Sequence, residues 1–373
     1  MLLTSKKKCV GCAVCSYVCP KKCIVMKKNR EHFIEPQIKK TECVNCDLCN
    51  KCCPVYEKKI EKDKPECYIA QLKDKEKLKE CASGGAFLGI AEHIIELGGK
   101  VFGVAYDENK LKYKMIETKK ELISILNSKY FQCELSSDIY RKIDECSKHS
   151  VVFVSGTPCM ISAIKNIPNL NIQNVIFLEI LCQGVPNDFV VNKYDEEKER
   201  VFGKKINNHI FRSKDKYVGR NYLNKYIFDD GTIRYYIGEE DALSLSFQRQ
   251  IFLRNSCYSC NYSGKERVAD FTVGDYWNID YCNKKIDLKD GISVILCNTE
   301  RAKLLMEKID KFNLVKIDAN KALYDNVPYN GSVKKPLVRK ISFIMLNIGV
   351  KPSYISKILC IKYYLKKLIR RNK

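Results

Sequence analysis

From residue 67 onward, continuous apolar runs alternate with amphipathic stretches. Ala86 to Leu97 carries its apolar residues at helical spacing and is stopped by Gly98 and Gly99, after which Val101–Tyr106 reads as a strand. Lys119–Leu126 and Ser136–Lys148 predict two further helices, the second capped by Ser136 or Ser137. Val151–Gly156 and the run ending at Cys182 are apolar almost throughout, as strands buried on both faces are, and their spacing by helical segments predicts a parallel α/β sheet. Tyr226–Tyr236 predicts a hairpin turning at Asp230-Gly231. Phe271–Trp277 and Gly291–Asn298 predict closing strands, and Thr299–Phe312 an amphipathic helix.

The first 58 residues follow a different pattern, set by cysteine. CVGCAVCSYVCP (Cys9–Pro20) and CVNCDLCNKCCP (Cys43–Pro54) both read C-x2-C-x2-C-x3-C-P. Three thiolates on a tight loop hold three corners of a cubic iron–sulfur cluster, while the fourth cysteine, before proline, serves the other cluster of the pair. Cys9, Cys12, Cys15 and Cys53 are thus expected to hold one 4Fe-4S cluster, and Cys19, Cys43, Cys46 and Cys49 a second. Cys23 and Cys52 fall outside the pattern. Zinc sites lack the third cysteine at the same step, and disulfides belong to exported chains, whereas the N-terminus has no apolar run long enough for a signal peptide. The expectation is a ferredoxin-like, two-cluster module in the cytoplasm.

The fold class expected is α+β/α/β: this module over 1–58, a charged linker over Glu57–Glu66, α/β segments over 67–148 and 149–325, and a basic amphipathic tail over 326–373. No stretch reaches the roughly 18 apolar residues of a membrane span. The net charge of +22 concentrates in the tail, where twelve Lys and Arg follow the last acidic residue, Asp325. With no aromatic–basic groove pattern, a nucleic-acid partner is not expected. The tail suits either an anionic membrane surface or docking of its apolar stripe on the body. Lysines beside the cysteine loops suit an acidic electron donor or a solvated surface.

Two sets of residues in the body carry further chemistry. Ser83-Gly84-Gly85 opens a helix with exposed backbone N–H groups and little bulk, as a phosphate requires. Cys159 and Cys182 follow apolar strands, where ligands gather in parallel sheets. With Cys257-x2-Cys260 they make four thiolates, enough for a third 4Fe-4S cluster or a four-thiolate zinc site.

Taken together, the tandem cysteine motifs and SGGAF, NSKYFQ, SGTPCM, CQGVP, RNSCYSC and VADFTVGDYW resemble, in that order, the beta subunits of coenzyme F420-reducing hydrogenases and formate dehydrogenases. That family also includes plant-type 7-hydroxymethyl chlorophyll a reductase and bacterial members linked to cell-surface polysaccharide production. The resemblance runs over roughly residues 1 to 300. It implies a mixed α/β, flavin-binding body in which FAD lies between a cluster and a site for a deazaflavin or another reducible ring. By the resemblance, Ser83, Gly84 and Gly85 match the flavin loop, Lys129 the lysine of the SKY motif, and Gly156, Thr157 and Pro158 the GTPC loop. Asp275 matches the GD-aromatic-W turn, and Cys159, Cys182, Cys257 and Cys260 the third cluster's cysteines. Met160 and Gln183 depart from the glutamine and histidine usual there, which bears on the substrate. The implied protein is an iron–sulfur flavoprotein oxidoreductase. It would take electrons from a ferredoxin or a partner subunit to a small organic substrate, an F420-like deazaflavin or a polysaccharide-pathway intermediate. The alternative is a non-catalytic electron-transfer subunit of a larger redox complex.

Overall fold

The computed structural model describes residues 8–107, 110–216, 223–277 and 286–359 of the 373. In the N-terminal segment the two cysteine loops have one local geometry. Helix Val14–Tyr17 is entered through left-handed Ala13 (φ 63°, ψ 6°) and helix Leu48–Lys51 through left-handed Asp47 (φ 62°, ψ 6°). Between the loops, Ile24–Lys28 (β1) and Ile34–Ile38 (β2) pair as an antiparallel hairpin.

Residues 57–65 have no regular structure, yet they are not the free linker expected. Lys58 pairs with Glu266 at 2.7 Å, Asn166 Nδ2 donates to Glu57 O at 2.8 Å, Glu61 N donates to Arg267 O at 2.8 Å, and the Glu61 carboxylate pairs with Lys165. The charges that deny this segment an apolar face find opposite charges on the body.

Eight strands form the main sheet: Glu66–Leu72 (β3), Lys100–Asp107 (β4), Lys110–Ile116 (β5), Val152–Gly156 (β6), Val175–Ile180 (β7), Phe271–Asp275 (β11), Ser293–Cys297 (β12) and Phe312–Lys316 (β13). A separate three-stranded sheet comprises Ile206–Ile210 (β8), Leu223–Phe228 (β9) and Ile233–Ile237 (β10), with the expected turn at Asp230-Gly231. The main sheet runs β13-β3-β12-β11-β7-β6-β4-β5, drawing strands from both the 67–148 and the 149–325 segments. Its centre, β4-β6-β7-β11, is parallel as the apolar runs predict, and both flanks are antiparallel. The sheet is therefore mixed. Only two residues separate β4 from β5, too few for a parallel crossover.

Val152, Phe153 and Val154 are wholly buried, with the valines in one core and Phe153 in the other. Helices Ser137–Ser147 and Pro158–Lys165 contribute to the first core, and helices Ala86–Glu96 and Glu300–Lys308 to the second. Ser136 caps its helix by accepting from Ile139 N. The helix expected over Lys119–Leu126 is instead a 3-10 segment, Glu121–Ile125, whose buried Leu122 and Ile125 are three apart, the repeat of that tighter coil.

The described part of the tail docks on the body. Helix Arg339–Asn347 buries Phe343 against Phe33 and Phe252, and in helix Pro352–Leu359 the Ser356 hydroxyl meets Tyr194 at 2.7 Å. Residues 360–373, the rest of the tail considered for membrane contact, lie outside the described residues. Among the described residues no helix is long and apolar enough to cross a membrane.

Candidate functional site

Because β6, β7 and β11 are parallel, their carboxyl ends meet at one edge of the sheet. From β6 the chain enters Thr157, which precedes helix Pro158–Lys165 and brings its hydroxyl to 3.4 Å from Cys159 Sγ, with proline at the helix start. Beyond β7 come Cys182, Gln183 and Gly184, and β11 ends on Asp275. A cavity of about 490 Å³ lies at this edge. Cys159, Cys182, Cys257 and Cys260 all line it, and burial, then the proximity of the other thiols, disfavours ionising Cys159 or Cys182. Gly184 approaches so closely that a Cβ there would lie 3.0 Å from Cys257 Cβ. Burial pushes the thiols of Cys159 and Cys257 up to about 12 and about 11, and that of Cys182 well above its ordinary range. A metal would have to displace those protons, which ties its binding to proton release.

The residues singled out for a flavin meet in the same cavity. Ser83, Gly85, Lys129, Gly156, Thr157, Pro158 and Asp275 line it; Gly84 is not among the lining residues. A Cβ at Gly84 would lie 2.3 Å from both Ala70 O and Ser293 N, so glycine is needed there for close passage between β3 and β12. Gly85 is left-handed (φ +80°) as the chain turns into helix Ala86–Glu96. Ser83 Oγ donates to Ile292 O at 2.9 Å, and Ser83 O accepts from Lys214 at 2.6 Å. Lys129 donates to Leu126 O, and burial lowers its ammonium to about 7.

Several lining residues were given no role of their own in the sequence. Arg212 Nη1 meets Asp275 Oδ2 at 2.6 Å, with its guanidinium 5.9 Å from the Trp277 ring centre. Tyr130 and Phe247 pack with ring centres 4.8 Å apart. Cys81 and Cys133, grouped with nothing in the sequence, also line the cavity, as does Arg254. A lone arginine three residues before Cys257 was the one visible sign of the last.

In the N-terminal segment Cys9, Cys12, Cys15 and Cys53 are all buried, and burial above all, with the neighbouring cysteines adding to it, pushes the thiols of Cys9, Cys12 and Cys15 up. Cys19, Cys43 and Cys49 pack against a small core that contains Cys15, Cys23 and Ile24, while Cys46 is exposed. Cys23, outside the repeated spacing, brings its sulfur to 3.4 Å from that of Cys19. Among the described residues no group of three or more His, Cys, Asp and Glu is arranged to hold a single metal ion.

A mixed α/β body with thiols and a cavity at the carboxyl ends of its central strands suits a redox subunit. Residues 149–322 match the family model for the C-terminal part of the coenzyme F420 hydrogenase/dehydrogenase beta subunit, so this part of the chain is similar to that family. No curated protein matches the chain. Among solved structures it is similar to a chain of the xenon-derivatized F420-reducing NiFe hydrogenase complex from Methanosarcina barkeri. That match is 14% identical over 76% of this chain and 93% of the other, with a TM-score of 0.48.

Proposed function

We propose that the chain is an iron–sulfur flavoprotein oxidoreductase that passes electrons from thiolate-held clusters to a flavin in the cavity and on to a small organic substrate. The observation that carries this reading is the convergence of two independently chosen residue sets on one cavity. Cys159, Cys182, Cys257 and Cys260 supply four thiols, and Ser83, Gly85, Lys129, Gly156–Pro158 and Asp275 supply the flavin-loop residues. The donor set fits an iron–sulfur cluster, and a cavity of about 490 Å³ with several aromatic walls fits a ring-bearing cofactor. A flavin accepts electrons singly and delivers them in pairs, which clusters alone do not.

In this reading Cys9, Cys12, Cys15 and Cys53 hold one 4Fe-4S cluster, Cys19, Cys43, Cys46 and Cys49 a second, and the four cavity cysteines a third. FAD lies against Ser83, Gly85, Lys129 and the Gly156–Pro158 turn. Arg212, held by Asp275, presents a cation to an anionic ring or phosphate, and Lys129 stands ready to exchange a proton near neutrality. Tyr130 and Phe247 exclude water. Exposed Cys46, with Lys39, Lys40 and Lys51 exposed nearby in the sequence, marks the entry side for an acidic one-electron carrier such as a ferredoxin. The substrate is a reducible ring, an F420-like deazaflavin or a polysaccharide-pathway intermediate.

Iron, acid-labile sulfide and flavin per chain in anaerobically purified protein test the proposal. Roughly twelve irons and one FAD are expected. Protein that holds no flavin and binds none on addition would overturn it. A second reading, an electron-transfer subunit whose chemistry lies in a partner, is favoured by the family's being one of beta subunits. It predicts redox activity toward soluble acceptors only after a partner chain is added.

A further inference from the structure

Arg254 is 3% exposed, and its guanidinium reaches three separate pieces of chain. Nε donates to Gln132 Oε1 at 2.9 Å, Nη1 to Cys9 O at 3.0 Å and Nη2 to Ile34 O at 2.9 Å. The group lies over the Phe33 ring, 4.8 Å from its centre. Its own backbone belongs to the inner loops: Arg254 N donates to Val185 O at 2.8 Å, and Arg254 O accepts from Cys257 N at 2.9 Å. One residue therefore joins the first cysteine loop to the CQGVP and CYSC loops that line the cavity.

Neighbouring bonds repeat the join. Ser256 Oγ donates to the same Cys9 O at 3.1 Å, and Gln132 Nε2 donates to Val10 O at 2.9 Å. Gly11 makes room for it, since a Cβ there would lie 2.3 Å from Arg254 Nη2. The oxygens that satisfy the guanidinium hydrogens are all neutral carbonyls and an amide. Among the described residues Arg254 has no carboxylate within ion-pair distance, and the buried Glu35 is held instead by Asn29 at 2.7 Å. Glu134 feels the Arg254 charge without bonding to it, and a buried cation with no bonded counter-charge costs several kcal/mol, which favours an anion beside it. The first cysteine loop lies at the tips of its nitrogens and Cys257 at its backbone.

We infer that Arg254 is a positioning residue that clamps the outer Cys9–Cys15 loop to the inner Cys182 and Cys257–Cys260 loops and supplies the positive charge against which a cluster held by either loop set would accept an electron. The inference rests on the cluster reading proposed above. A cluster that gains one electron from the external carrier gains one negative charge, and a fixed cation beside it favours that reduced form, which raises the potential. Nothing else is consumed. Arginine rather than lysine is needed, because only a planar fork reaches three directions while remaining charged.

The test is an EPR-monitored reductive titration of anaerobic wild type, Arg254→Gln, Arg254→Lys and Gln132→Glu, with iron and sulfide counted in each. Gln132→Glu is nearly isosteric and sets a carboxylate against Nε; it gives up the bond to Val10 O, but the three bonds of the fork stay while its charge is offset. With iron retained, Arg254→Gln and Gln132→Glu are expected to shift the reduction equilibrium about tenfold toward the oxidised form, ~59 mV for a one-electron couple. Arg254→Lys keeps the potential near wild type but weakens the magnetic coupling between the groups. Iron-loaded Arg254→Gln and Gln132→Glu with wild-type potentials would overturn the inference. Should Arg254→Gln not fold, Gln132→Glu decides alone. Wild-type protein without iron would instead sink the cluster reading itself, and this inference with it.

Discussion

Arg339 and Glu31 form a two-pronged ion pair, Nη1 to Oε1 at 2.7 Å and Nη2 to Oε2 at 2.6 Å, between a tail helix and the turn of the β1–β2 hairpin. Arg339 is 3% exposed in its side chain and also donates to Leu253 O at 3.0 Å. Four residues on, Phe343 packs edge-on against Phe33 of the same N-terminal segment and Phe252 of the body. The tail therefore fastens the segment that carries the first eight motif cysteines. Phe343→Ala should cost about 3–5 kcal/mol as a buried aromatic truncation, and Glu31→Gln about 2 kcal/mol, since Glu31 keeps partial exposure. Denaturant unfolding under anaerobic conditions measures both. Unchanged midpoints would show that the tail is dispensable to the fold.

Gly84 and Ser83 separate two roles that the sequence merges. Gly84→Ala should destabilise by about 2–3 kcal/mol or prevent folding, because the added methyl meets backbone atoms that cannot rotate away. Ser83→Ala should cost only about 1 kcal/mol, the loss of its bond to Ile292 O. Thermal unfolding of the two variants ranks them, and equal effects would contradict the close-packing account of Gly84.

What was legible in the chain divides along the range of the interactions. Val152–Val154 and Val175–Leu178 announced central parallel strands because burial on both faces leaves an unbroken apolar run. The antiparallel flank was not legible, since Ala70 finds Ser293 through a pairing no local pattern encodes. Cysteine spacing singled out the thiols at the strand ends, for regular spacing is a local signature. Arg212 had none and Arg254 only its place at the head of RNSCYSC: each is one arginine whose meaning comes from what folds around it. The glycines of SGGAF were read together as a flavin loop, yet Gly84 answers to backbone crowding. In the tail the apolar stripe was plain and its partner was not, because Phe33 and Phe252 lie far away in the chain.

Lys129 should give stability a pH slope. Its folded-state value is about 7, pulled down by burial from the ordinary 10.5. Between roughly pH 7 and 10.5 the unfolded chain therefore holds a proton that the folded chain has released. The unfolding free energy rises with pH through this window, by up to about 1.4 kcal/mol per unit. Lys129→Met removes the titrating group, so its stability should exceed that of wild type at pH 7 and converge toward it by pH 10. Urea unfolding of cofactor-free protein at three pH values checks this. A wild-type curve parallel to that of Lys129→Met would mean that the amine is solvated and not held in the cavity wall.

The cavity thiols offer a sharper division, because the proposed clusters fall into sets that a single substitution can address. Cys182 lies beyond β7 and lines the cavity with Cys159, Cys257 and Cys260. Cys182→Ala removes one corner of that set and leaves Cys9, Cys12, Cys15 and Cys53, and the Cys19, Cys43, Cys46 and Cys49 set, intact. The expected result is a loss of about four of roughly twelve irons, with the N-terminal signals unchanged in EPR and flavin retention reduced. If the inner set instead held zinc, the same variant would lose one zinc per chain and no iron. If it held nothing, the metal content would not move. Metal analysis of the single variant therefore separates the three chemistries that four cysteines in this arrangement allow.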